Sequence, residues 1–192
     1  MIPKHGWLPR DLSLKDSWLE KHPDNPLQQD LPTRFEEFTL GFDVATTLGA
    51  GYALDAACGF EPGIHIFPYL LSEAGYEVEA LDKEPKHMDM PSDPRVTRKL
   101  QDIADLSQYA DNEFPLVVCI SVLEHVQHAK REVIVDELFR VAADVVLITT
   151  DDLLPKLLAQ WATDRGWQAG EYDDADSAQR TEPPVSYLIA IP

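Results

Sequence analysis

Acidic side chains stand at or just beyond the ends of four runs of this chain. The first run closes in Asp55-Ala56-Ala57-Cys58-Gly59-Phe60-Glu61-Pro62-Gly63, the second in Asp82 and the third in Asp102-Ile103. The fourth runs into Ser121-Val122-Leu123-Glu124-His125. Carboxylates so placed accept hydrogen bonds from hydroxyl, amino and ammonium groups. They repel phosphate, since two like charges about 4 Å apart cost about 4 kcal/mol at an effective dielectric of about 20. Small residues at Ala57 and Gly59 let the backbone turn tightly and approach a ligand closely. A pyrophosphate-binding turn wants G-x-G-x-x-G leading into a helix, whereas this turn carries Asp55 and Glu61. These residues suit a cationic, phosphate-free ligand that bears hydroxyls and an amino group.

To act together, the four segments must end on one edge of a sheet. The pattern predicts strands over 52–57, 77–81, 96–100, 116–120 and 144–149, with two late strands over 167–172 and 186–191. Helices are expected over 64–74, over 129–143 with Val133, Leu138 and Val141 inward, and over 153–165 with Pro155 in the first turn. An earlier helix has Thr33 and Glu36 spaced as a capping box and Phe35, Phe38 and Phe42 at helical spacing, with Gly49 and Gly51 ending it. Alternating strands and helices predict a doubly wound, Rossmann-like α/β sheet of about seven strands. It is mostly parallel, with helices on both faces and an antiparallel last strand. Ligands bind such sheets at the carboxyl ends of the strands, near the switch point in strand order.

One domain over 31–192 is expected, preceded by an arm over 1–30 that carries Trp7, Trp18, four prolines and a short amphipathic helix near 14–21. The 192 residues include 16 basic and 34 acidic ones, a formal charge of -18. Such a surface repels nucleic acid and anionic membranes, which leaves a small molecule as the expected partner. The sequence shows no secretory leader and no membrane-spanning run. Cys58 and Cys119 read as small core residues in a reducing, cytoplasmic protein. Glu171, Asp173, Asp174 and Asp176 lack the spacing of a calcium loop and read as a solvated loop.

A ligand with a sulfonium, an ammonium, a ribose, an adenine and no phosphate is S-adenosylmethionine. Over residues 33–192 the chain resembles the class I S-adenosylmethionine-dependent methyltransferases of small-molecule type. ALDAACG resembles their first motif, EALDKE the strand ending in the ribose-binding acid, LQDIADL the adenine-binding segment, and FPLVVCISVLEHV the fourth-strand motif. The resemblance implies cofactor contacts from Asp55, Ala57, Gly59, Asp82, Lys83, Asp102, Ile103, Ile120 and Ser121, with S-adenosylhomocysteine as product. The family usually has glycine where Ala57 and Glu61 stand and aspartate where Pro115 stands. Alanine adds one methyl, and proline at a strand's first position costs little. Metal-holding relatives place a further glutamate where Ser121 stands, so no metal is expected. His125 is the candidate general base, because imidazole titrates nearest neutral pH. A non-catalytic binding or regulatory protein on the same fold is the alternative reading. A nicotinamide-dependent oxidoreductase would need the missing glycine pattern.

Overall fold

The computed structural model describes residues 32–59, 67–90, 92–150, 155–170 and 186–192. The expected arm, the acidic loop near 171–176 and the start of the helix expected over 64–74 lie outside the described residues. Helix α1 spans Pro32–Leu48. It begins one residue ahead of Thr33, because proline's fixed φ suits a first turn and its missing N–H costs nothing there. Thr33 is therefore inside the helix and not its N-cap. Gly49 ends α1 in a left-handed conformation with φ +89.

Seven strands follow in one sheet: β1 (Tyr52–Ala56), β2 (Glu77–Asp82), β3 (Val96–Leu100), β4 (Phe114–Ile120), β5 (Ala142–Thr150), β6 (Gln168–Gly170) and β7 (Ser186–Ile191). Their spatial order is β3-β2-β1-β4-β5-β7-β6. The first five are parallel, and β7 lies antiparallel between β5 and β6. Order reverses between β1 and β4, which makes their carboxyl ends the switch point. Helices α2 (Phe67–Glu73), α3 (His128–Val141) and α4 (Pro155–Asp164) complete the fold.

Strand alternation divides the core between two faces. Ala53, Val78, Leu116, Val118, Val145 and Leu147 pack with Phe38, Leu40 and Val44 of α1 and with Phe67, Leu70 and Leu71 of α2. On the other face, Leu54, Ala56, Val117, Cys119, Val146 and Ile148 pack with α3 and α4. The inward face of α3 is Ile134, Val135, Leu138, Phe139 and Val141. Val133, expected inward, is 50% exposed. Five residues carry it about 140° round the helix from Leu138, which puts it on the opposite side.

Pro115 is the second residue of β4, a strand paired on both sides, and not its first. The register with β5 shifts between Phe114 and Leu116. A bulge is one of the few places where an inner strand tolerates proline's missing donor.

One buried polar network braces the sheet. Glu79 accepts from Tyr52 Oη (2.7 Å), Tyr109 Oη (2.8 Å) and Lys99 Nζ (2.6 Å). Burial alone would raise its carboxyl pKa, and these three donors hold it below the ordinary value.

Candidate functional site

Because β2, β1 and β4 are neighbours, their carboxyl ends bring Asp82, Asp55, the Ala57–Gly59 turn and the Ile120–Ser121 peptide to one edge. Ala57 and Gly59 both lie in the left-handed region, at φ +66 and +75. The cost of alanine at 57 is therefore one of backbone conformation, about 1–2 kcal/mol, more than the bulk of an added methyl. Asp82 closes the turn: Oδ2 accepts from the Gly59 N–H and Oδ1 from the Glu84 N–H, both at 2.9 Å. Lys83 is exposed just beyond it.

Asp55 is buried, and its Oδ2 has no hydrogen-bond partner. Burial pushes its carboxyl pKa up to about 8; Arg98 opposes the rise and Asp82 adds to it. An unpartnered acceptor held away from water carries a desolvation cost until something donates to it.

Support for the turn comes from behind. Arg98 of β3 donates to Tyr69 Oη (2.9 Å) and to Cys58 Sγ (3.8 Å). His87, fully buried, lies in the short 3₁₀ helix Pro85–Asp89. Its Nε2 is 3.0 Å from the Lys99 carbonyl, which assigns the ring proton to Nε2 and turns Nδ1 toward Cys58 Sγ at 3.5 Å. Burial lowers the His87 pKa and Arg98 acts with it, while the bond to Lys99 opposes them. Burial pushes the Cys58 and Cys119 thiols far up, so neither is a ready nucleophile.

Beyond β3, Asp102 is exposed and accepts from the Ala104 N–H at 3.0 Å. Ile103 turns its side chain into the core. Arg140 of α3 fastens this loop, donating to the carbonyls of Leu106 (2.9 Å) and Tyr109 (3.0 Å) and to Asp111 (2.8 Å).

At the end of β4, Ser121 is left-handed at φ +48 and buried. Its N–H donates to the Thr149 carbonyl (3.0 Å) and Oγ1 (3.1 Å), and its Oγ donates to Glu37 Oε1 at 2.5 Å. Thr149 Oγ1 donates to the same oxygen at 2.6 Å. The 3₁₀ helix Leu123–His125 then presents His125 to solvent, while both Glu124 carboxylate oxygens are buried without a partner. No group of three His, Cys, Asp or Glu side chains that could hold a metal ion occurs among the described residues.

Sequence reasoning missed Arg98, His87, Arg140 and Glu37. The first three act through packing between distant segments and leave no local signal. Glu37 does leave one: it stands at helical spacing from Leu40, Val44 and Ala45, an acid on an apolar face.

Residues 54–145 match the family model described as a methyltransferase domain. No curated protein sequence matches the chain. Among solved structures the chain is similar to the 1,6-didemethyltoxoflavin-N1-methyltransferase of Burkholderia thailandensis, solved with 1,6-didemethyltoxoflavin and S-adenosylhomocysteine. They share 13% identity over 93% of this chain and 86% of that one, with a TM-score of 0.67. It is also similar to the magnesium protoporphyrin IX methyltransferase of Synechocystis PCC 6803 with bound S-adenosylmethionine. There the identity is 15% over 97% of this chain and 99% of that one, with a TM-score of 0.61. An S-adenosylmethionine-dependent methyltransferase from Mesorhizobium loti matches at 13% identity and TM-score 0.59, over 81% of this chain and 98% of that one. At such identities the likeness is one of fold.

Proposed function

We propose that this chain, a Rossmann-like fold whose residues 54–145 match a methyltransferase-domain model, is a class I S-adenosylmethionine-dependent methyltransferase that methylates a small-molecule or carbohydrate-like acceptor. The observation that carries this reading is the unpartnered Asp55 Oδ2 beside a left-handed turn closed by Asp82. A cation with hydroxyls fits this edge, because buried carboxylate oxygens without donors favour ammonium and hydroxyl protons over phosphate.

The cofactor supplies an electrophilic methyl on a positively charged sulfur. Asp82 offers acceptors to the ribose hydroxyls, and its existing bonds to Gly59 and Glu84 fix its orientation. Asp102 and the Ile103 amide address the adenine. Asp55, with the Ala57–Gly59 turn, takes donors of the methionine end, against which the Ile120–Ser121 backbone lies. Lys83 borders the ribose side. His125, exposed at the mouth, faces the acceptor and takes its proton. In-line transfer then needs the nucleophile held about 3–3.5 Å from the methyl, so positioning supplies much of the rate. If His125 is that base, His125→Ala lowers turnover about 100-fold or more while cofactor affinity stays unchanged.

A small acceptor is supported by the formal charge of -18. Among the described residues no helix is long and apolar enough to cross a membrane. Two buried free cysteines suit a reducing, cytoplasmic setting. Residues 1–30 are proposed as the acceptor lid, because α1 reaches the carboxyl edge through Glu37 and the arm leads into α1. Deleting residues 1–28 would then cut turnover and spare cofactor affinity.

Calorimetry with S-adenosylmethionine and S-adenosylhomocysteine tests the reading. Micromolar binding supports it, and folded protein that ignores millimolar ligand ends it. Incubation with methyl-labelled cofactor and cell extract separates an enzyme, which yields labelled product, from a binding protein, which yields none.

A further inference from the structure

Ser121 occupies a backbone region that L-residues with a Cβ rarely hold, and it does so where two strand ends and a helix meet. Three bonds keep it there: its N–H to the Thr149 carbonyl and Oγ1, and its Oγ to Glu37. Glu37 is 1% exposed, comes from α1, and gathers the Ser121 and Thr149 hydroxyls on one carboxylate oxygen. Charge-assisted bonds of this kind are about twice as strong as neutral ones. Strained non-glycine backbone persists where its surroundings over-determine it, and such residues cluster at ligand clamps. With the Ser121 side chain drawn inward, the Ile120–Ser121 peptide is what the β4 end can offer to a ligand.

We infer that Glu37 is a positioning residue for the cofactor's methionine end: through the Ser121 hydroxyl it holds the left-handed turn whose peptide lies against that end. This rests on the reading of the edge as a cofactor site, and it goes beyond that reading by giving α1 a part in binding. Beside its apolar packing on the sheet, α1 is thereby joined through one carboxylate to the end of β4, 84 residues away in sequence. Loosening that carboxylate lets Ser121 relax toward ordinary backbone and turns the peptide away from the ligand.

The test uses the difference between glycine and alanine at position 121. Both lack the hydroxyl, and glycine holds the left-handed conformation without strain. Calorimetry with S-adenosylmethionine and S-adenosylhomocysteine would compare the wild type with Glu37→Ala, Ser121→Ala, Ser121→Gly and the double variant Glu37→Ala/Ser121→Gly. Glu37→Ala and Ser121→Ala should each weaken both ligands about tenfold, in line with the strain released. Ser121→Gly should bind both ligands about tenfold more tightly than Ser121→Ala, and adding it to Glu37→Ala should restore most of the lost affinity. If Ser121→Ala and Ser121→Gly behave alike, or the double variant stays as weak as Glu37→Ala, Glu37 only packs α1 and the inference is wrong. If Glu37→Ala does not fold, the alanine–glycine comparison at 121 decides alone. A wild type that binds neither ligand overturns the cofactor site itself, a distinct result.

Discussion

Asp82→Ala should raise the dissociation constant for S-adenosylmethionine by about 100-fold or more. The change removes acceptors from the ribose and also releases the Gly59 and Glu84 amides, so the turn that faces the ligand loses its clasp. Hydrogen bonds to a charged group are worth about 1.5–3 kcal/mol each, and two of them lost reach that factor. Asp82→Asn keeps one acceptor oxygen and should fall between the two. Calorimetry on folded variants settles the order. An alanine variant that binds within threefold of the wild type would remove Asp82 from the site.

The second large effect is on stability and has the opposite sign from most substitutions of buried residues. Asp55 titrates near 8 in the folded chain against an ordinary value of 3.8. The folded state therefore keeps a proton that the unfolded chain has released, and stability falls as pH rises from about 4 to about 8. Four units at about 1.4 kcal/mol each set an upper bound of about 6 kcal/mol, reached above pH 8. Asp55→Asn has no charge to bury, so it should melt well above the wild type at pH 8 and close to it at pH 4. Thermal melts across that range measure the difference. An asparagine variant less stable at pH 8 would mean that Asp55 has a donor in the free protein. Cationic ligand favours the ionised carboxylate, so wild-type affinity should rise through the same window with release of a proton, whereas the asparagine variant should bind weakly at every pH.

At Asp55 the loss of stability and the gain in affinity with rising pH belong to one carboxyl, and together they describe a trade of stability for recognition. The sequence showed Asp55 and Asp82 plainly, because an acid that stops an apolar strand is conspicuous and strand order then brings such ends together. Strand positions were legible for the same reason: Val96–Leu100 and Ser186–Ile191 fall where period and apolarity put them. The direction of Val133 was not, since a helix with apolar residues at 133, 134, 135 and 138 offers more than one face, and packing against the sheet chooses. Ala57 looked like a small change from glycine because composition carries side-chain size and is silent about φ. Glu37, Arg98, His87 and Arg140 act through contacts between segments far apart in sequence, such as the 84 residues that separate Glu37 from Ser121. Local pattern cannot report such a contact. It can only mark an acid on an apolar helix face as needing one.

The place of β7 in the sheet sets the order in which the molecule can be finished. Ser186–Ile191 fills the gap between β5 and β6, so the amides and carbonyls on that side of β5, a strand of almost wholly buried residues, wait for a segment made after all the other strands of the sheet. During synthesis the five parallel strands can assemble first, with one long apolar edge still open to other chains. The yield of soluble protein then depends on how quickly residues 186–191 arrive, and chains that stall before them carry a sticky border where the finished protein has a continuous sheet.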